Sequence, residues 1–475
     1  MKTDGIASDS DILNGKEYLV AVGVVLLGLF MSVMDTVIVN IALPSITAYF
    51  GNTISESQWV VTAYLITITA FMIVFGKLSA YTGLKKMFLG GIALFTASSL
   101  GCGMASSLLM LITFRITQAI GGAMASSISM ALIYRISPPD KQGKAIGIMG
   151  ATVAIASLAG PGIGGILIEM FDWRAIFHIN IPIGIIGLLI GIPYLKVTDT
   201  KKKGENIDWI GAVSFAVGIT SLMVLFNAIT TKGLYSMEVL VTFTVMFFAF
   251  MLLGWNERRQ IDPMLDTGIF REPMFFLPLL SMILFFAAVF MLNITMPFYL
   301  EEVLEFTPLH VGMLMMAIPV VLIVGSPIVG WLYDRYVWQH FSTMGLLIAF
   351  SALLICAWAI LDERLGIILF SMGLFAAGYS LFQSPNNIEI MRGLHKDRAA
   401  IASSIANTGR YFGMAIGASF ASVILSVQFL STELTKALPK IDINNLTLSS
   451  GVTLAIAALL CIIAAWPSYI RNRNN

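Results

Sequence analysis

Fourteen long apolar segments run along this chain, with charge almost confined to the gaps between them. Each is close to the roughly 20 residues that an α-helix, rising ~1.5 Å per residue, needs to cross a bilayer. Spans are expected at 18–45, 55–80, 86–106, 108–135, 143–170, 175–196, 207–228, 234–256, 272–300, 308–333, 341–361, 366–392, 398–428 and 449–470. Backbone amides in lipid must be satisfied within their own segment, and strand-period alternation is absent, so helices are expected rather than a barrel. The fold class is therefore all-α integral membrane. Only 12% of residues are charged, against about 25% in a soluble domain, which excludes an aqueous fold.

Lys and Arg set the orientation. With a cytoplasmic N-terminus, the inner segments hold 20 of 28 basic residues, among them Lys85, Lys86, Lys141, Lys144, the run 201–203, Arg258, Arg259, Arg392, Arg398, Arg471 and Arg473. Five (Arg174, Lys232, Arg364, Lys436, Lys440) fall outside, and Lys77, Arg115 and Arg410 fall within spans. A multi-pass protein of the cytoplasmic membrane with both termini inside is expected. Span 1 reads as a retained anchor after a polar tail. Cys102, Cys356 and Cys461 sit in separate spans without metal-ligand spacing and read as packing residues. No nucleotide-binding loop, zinc helix or nucleophile elbow occurs, so neither an enzyme nor a cofactor or metal is expected. A net charge of +1 gives no argument for nucleic acid.

The stretch Gly76-Lys77-Leu78-Ser79-Ala80-Tyr81 recurs as Gly330-Trp331-Leu332-Tyr333-Asp334-Arg335, an offset of 254 residues. The same offset carries the start of span 1 to that of span 9, and Gly160 to the neighbourhood of Gly413 and Gly417. A six-helix unit thus occurs twice, with two helices inserted between the copies. The expected units are a tail at 1–17, a bundle at 18–196, a linker at 197–206, the inserted pair at 207–256, a second bundle at 272–470 and a tail at 471–475. Duplicated bundles of this kind rock around a site near the bilayer midplane.

Asp35 lies well inside span 1, where a carboxylate is costly and by default marks an ion or substrate path. Its alternative is a structural acid paired permanently with an arginine. Arg115 in span 4 overlaps it in depth and cannot lose its charge. The pair is a candidate for proton coupling, and Asp35→Asn is expected to lose coupling while retaining the fold. Gly160-Pro161-Gly162-Ile163-Gly164-Gly165 suits a bendable, closely packed helix at a moving contact. Tyr379, Gln383 and Asn386 share one face of span 12, as a wet cavity or a hydrogen-bonded interface requires. Glu389 is expected to be solvated, and Glu301, Glu302 and Glu305 form an acidic rim. Methionines such as Met296 suit an adaptable apolar site.

These motifs, together with Gln58-Trp59 to Tyr64, Arg115-Ile116-Thr117-Gln118, Trp173-Arg174, Asn180-Ile181-Pro182, Pro385-Asn386-Asn387 and Asn407 to Arg410, resemble the fourteen-helix drug:proton antiporters of the major facilitator superfamily across residues 18–470. The resemblance implies two six-helix bundles plus two inserted helices, alternating access, and a cavity lined by spans 1, 4, 9 and 12. Candidate cavity residues are Asn40, Trp59, Tyr64, Gln118, Asn293, Met296, Tyr379, Gln383, Asn386, Asn387 and Arg410. Candidate gating residues are Gly76, Gly83, Gly160, Pro161, Gly164, Gly165, Asp334 and Arg335. The family's acid and base after the first Gly-x-Leu-x are here Ala80 and Tyr81, so the first-half charge latch is in doubt; the second copy keeps Asp334 and Arg335.

The expected function is proton-driven export of hydrophobic drugs or toxic amphipathic compounds, cationic ones included. Its rivals are a dedicated exporter or uniporter of one metabolite, lipid or siderophore, and a non-transporting membrane sensor. The expected partners are the small-molecule substrate, protons and the lipid bilayer. A monomer is expected, and the sequence leaves an envelope adaptor open.

Overall fold

The computed structural model describes residues 15–138, 142–197, 208–232, 235–257, 259–260, 267–336, 340–392, 399–427 and 443–473. The run 201–203, most of the linker and most of the loop at 429–448 lie outside the described residues, as does the side chain of Asp334. In chain order the helices are α1 (Gly15–Phe50), α2 (Ile54–Ser57 and Trp59–Thr82), α3 (Leu84–Gly103), α4 (Leu108–Ile136), α5 (Gln142–Met170), α6 (Ala175–His178 and Asn180–Tyr194) and α7 (Trp209–Lys232). They continue as α8 (Met237–Glu257), α9 (Pro273–Glu302), α10 (Pro308–Met315 and Ala317–Tyr336), α11 (Phe341–Leu361), α12 (Leu365–Arg392), α13 (Ala399–Val427) and α14 (Ile443–Arg473). Among the described residues, 13 helices are long and apolar enough to cross a membrane. The fourteenth, α13, has the length, but Asn407, Thr408 and Arg410 dilute its apolar run. The protein is a multi-pass membrane protein with an all-α fold.

Local chemistry sets the ends of several helices. A reciprocal capping box between Thr53 and Glu56 opens α2, and Ser107 accepts from Met110 N to open α4. Gly83 turns α2 into α3 with φ 97, a conformation side-chain-bearing residues avoid. Pro273 and Pro308 begin α9 and α10, where the missing amide hydrogen costs nothing.

Packing repeats with the chain. In the first half α1 packs on α5 and α6, α2 on α4, and α3 on α4 and α6; in the last six helices α9 packs on α13 and α14, α10 on α12, and α11 on α12 and α14. Every pairing recurs eight helices later, so the duplication read from three landmarks is a duplication of topology. Gly91 and Gly345, 254 residues apart, both mark backbone crossings. A Cβ built on the first would lie 2.7 Å from the Gly121 carbonyl oxygen, and on the second 2.6 Å from that of Gly378.

The two bundles meet through α2 on α13 and α5 on α10, while the inserted α7 packs on both α2 and α13. Its partner α8 presents Phe243, Phe247, Phe248, Met251 and Trp255 outward, an apolar surface that suits lipid.

Candidate functional site

Asp35 is completely buried in α1. Its Oδ2 accepts from Arg115 Nη1 at 2.6 Å, and its Oδ1 accepts from Gln118 Nε2 at 3.0 Å and Asn180 Nδ2 at 2.9 Å. Arg115 is 1% exposed. It also donates Nη1 to Gln118 Oε1 at 2.6 Å and Nε to the Val60 carbonyl at 3.1 Å. Its guanidinium lies 4.1 Å from the centre of the Tyr64 ring. Gln118 reaches on to Ser99 Oγ at 2.8 Å, and Cys102 Sγ lies 3.8 Å from Gln118 Oε1. One network therefore joins α1, α2, α3, α4 and α6, all in the first half. The two charges offset each other, and Gln118, Asn180 and the Val60 carbonyl add hydrogen bonds around them, which lowers the cost of burying the pair.

Depth along the spans brought Asp35 and Arg115 to one level, and the structure joins them directly. Gln118 and Tyr64, grouped by sequence with the cargo cavity, sit against this pair. Asn180 and Ser99 were not singled out as site residues. Asn180 carried a usable signal, a polar amide beside a one-residue break in an apolar span. Ser99 carried none, because serines are common in membrane helices.

Asn40, further along α1, is 2% exposed, and neither end of its amide has a partner. Trp59 is half-buried. In the second half Arg410 of α13 is also half-buried, its guanidinium 5.1 Å from the centre of the Phe286 ring. Its Nε is buried without a partner, and it has no ion pair among the described residues. Phe286 and Phe285 of α9 both lie edge-on to Tyr379 of α12, at 5.9 and 5.0 Å. Phe285 also contacts Phe375 and Phe382. Asn386 donates to the Pro278 carbonyl at 3.2 Å, so the polar stripe of α12 faces α9. Gln383 and Asn387 are half-buried, Met296 is fully buried, and Asn293 donates back to the Val289 carbonyl.

The glycine–proline motif of α5 has two faces. Cβ atoms built on Gly160 and Gly164 would lie 3.1 and 2.7 Å from Val37 and Ile38 of α1. One on Gly165 would lie 2.6 Å from the Pro308 carbonyl oxygen of α10, and one on Gly312 would strike the Pro161 carbonyl. The motif thus binds its own bundle on one side and the opposite bundle on the other. Beside it, Leu309 N donates to Glu169 at 3.1 Å. Gly76 is uncrowded, and the exposed Arg335 lies over the Trp331 ring at 5.2 Å.

Glu389, expected to be solvated, instead receives long contacts from Tyr333 at 3.4 Å and Ser342 at 3.3 Å, tying the ends of α10, α11 and α12. Near the first copy of the repeat, where Ala80 replaces an acid, Asp208 at the start of α7 lines a pocket with Lys77 and Tyr81 of α2.

A duplicated helical bundle with a buried ion pair in one half and tightly crossed helices between halves defines a polytopic membrane carrier. Residues 25–418 match the Major Facilitator Superfamily, and the chain belongs to that family. The riboflavin transporter RibZ of Clostridioides difficile is 30% identical over 450 residues, 94% of this chain and 96% of the relative. Two relatives of the multidrug efflux type are the multidrug resistance protein Stp of Mycobacterium tuberculosis (29% identical; 89% of this chain, 78% of the relative) and the multidrug export protein EmrB of Escherichia coli K12 (28%; 87% and 81%). Among solved structures, the fold is similar to a bacterial homologue of the human lysosomal transporter Spinster, at TM-score 0.71 and 13% identity over 97% of this chain and 98% of the other.

Proposed function

We propose that this chain is a proton-coupled antiporter that exports amphipathic small molecules by alternating access. It works as a monomer in the cytoplasmic membrane with both termini inside. The observation that carries the reading is the Asp35–Arg115 pair, sealed in the hydrocarbon region at 2.6 Å. Arg115 keeps its charge throughout, so a proton reaches Asp35 only when the pair separates and water enters. Asp35 is held from α4 and α6 at once, so a shift among these helices changes its donors. The crossings of α5 on α10 and α2 on α13 are the surfaces over which the bundles rock. Relatives named for multidrug export support a broad cargo range.

In vesicles of reversed orientation, dye uptake is expected to require an imposed proton gradient and to collapse with a protonophore. Accumulation against a concentration difference at zero gradient would reject antiport. A second reading, a dedicated transporter of one flat aromatic metabolite, is favoured by the half-buried Tyr379 ring, backed by the buried Phe285 and Phe286, and by the riboflavin-transporting relative. Competition among unrelated compounds separates the two, since a dedicated site ignores most of them.

A further inference from the structure

We propose that Arg410 is the cargo-recognition residue, and that the cargo is a flat aromatic molecule carrying an anionic group rather than a lipophilic cation. The proposal rests on the reading of the chain as a small-molecule transporter and specifies what that transporter selects.

A guanidinium keeps its charge at any working pH. Held within membrane helices it is costly unless a partner offsets it, and such a residue is by default part of a functional site. Arg115 has its partner in Asp35. Arg410 has none among the described residues: its guanidinium lies against the Phe286 ring, and its buried Nε has no acceptor among them. At ~1.5 Å per residue it lies about 16 Å from the start of α13, well inside the span. A carboxylate, or another planar anionic edge, supplies the missing acceptor in the geometry for which the arginine fork is suited.

The surroundings specify the rest of the molecule. Phe286 and Tyr379 stand edge to face, and Phe285 extends the wall to Phe375 and Phe382. Phe285, Phe286, Phe375 and Phe382 are buried behind the half-buried Tyr379, and it is the Tyr379 ring that offers an aromatic guest offset or edge contact. A lipophilic cation would compete with Arg410 for the Phe286 face, and the acids of the described spans are engaged elsewhere, Glu389 by Tyr333 and Ser342. Asp35 is fully buried, and its two oxygens already accept three donors, one of them a cation. Asp208 is held at the start of α7 by Gly211 and Asn256, and Glu301 and Glu302 stand at the far end of α9. The charge on offer near the aromatic wall is positive, so the sequence-based expectation that includes cationic cargo is narrowed to anionic cargo.

The test is binding, measured without flux. Fluorescein and rhodamine 123 share a flat xanthene frame and carry opposite charge; each is titrated by fluorescence anisotropy against the full-length protein in lipid nanodiscs. Fluorescein is expected to bind at least about tenfold more tightly, the worth of one charge-assisted hydrogen bond. Arg410→Gln is expected to erase that preference while melting like the parent. Arg410→Lys keeps the charge but loses the planar fork; it is expected to weaken fluorescein by about tenfold and leave rhodamine 123 unchanged, and it carries the test if the glutamine variant does not fold. Tighter binding of rhodamine 123, no binding of fluorescein, or an unchanged preference in either folded variant overturns the proposal. Loss of proton-driven uptake in vesicles with the binding preference intact rejects the antiport reading and leaves this one standing.

Discussion

Arg115 in α4 and Arg410 in α13 are the same side chain set among membrane helices of two topologically equivalent bundles, yet they are provided for in opposite ways. Arg115 directs Nη1 to Asp35 and Gln118, Nε to the Val60 carbonyl, and its face to Tyr64. Arg410 has a phenylalanine face and an unused Nε. Low dielectric makes both arrangements consequential: a satisfied network holds one geometry, whereas an unsatisfied cation favours any state or ligand that brings it an acceptor. On the readings proposed above, the first bundle holds the proton-linked charge and the second meets cargo, a division of labour laid over a common topology.

The sharpest way to break this comparison is to remove the acid. Both oxygens of the Asp35 carboxylate accept donors, so the amide of Asp35→Asn turns an NH₂ toward donors and leaves Arg115 uncompensated. The variant is expected to lose proton-linked transport and about 3 kcal/mol of stability, which revises the expectation, drawn from isosteric shape alone, that the fold is untouched. Combined with Arg115→Gln, much of that stability should return, as a double-mutant cycle on thermal melts in detergent would register. Normal proton coupling in Asp35→Asn would assign the carrier role elsewhere.

The comparison also assumes that the bundles move against each other as units. Gly312→Ala places a methyl against the Pro161 carbonyl and is expected to disfavour the α5–α10 closure by about 2 kcal/mol. Spin labels at the exposed Met170 and Met313 should then report a longer distance population. An unchanged distribution would mean that this crossing is static.

One conservative change tests both arginines. Lysine cannot reproduce the fork that binds Asp35, Gln118 and Val60 together, so Arg115→Lys is expected to cost about 1.5 kcal/mol. Arg410→Lys, with no hydrogen bond to lose among the described residues, is expected to stay within about 0.5 kcal/mol of the parent. Equal destabilisation in melting experiments would show that Arg410 has a structural partner and erase the contrast.

The pattern of apolar runs made the fourteen helices and their duplication legible, because lipid imposes one length and one hydrogen-bonding solution on each span. It also placed Asp35 and Arg115 at one level. What it could not convey is rotation about each helix axis: Gln118 turns toward the ion pair and not toward a cavity, and Phe286 is indistinguishable by composition from the chain's other 30 phenylalanines. Glu389 was hidden for a related reason, since nearness to a helix end says nothing about which neighbouring helices close over it.

A smaller destabilisation than that of Arg115→Lys is expected in the inserted pair, which packs by α7 against both the bundle holding Arg115 and the bundle holding Arg410. Asp208 Oδ1 accepts from Gly211 N and from Asn256 Nδ2, both at 2.8 Å, so one carboxylate caps α7 and ties it to α8. Asp208→Ala removes the cap and the tie together, at an expected cost of about 1 kcal/mol. Asp208→Asn retains an acceptor for the cap and should cost less. Because Asp208 lines a pocket with Lys77 and Tyr81 of α2, where the first copy of the repeat lacks its acid, the alanine variant should also shift the Met170–Met313 distance distribution. A lowered melting temperature with that distribution unchanged would confine Asp208 to anchoring the inserted pair and leave the missing first-half acid without a substitute.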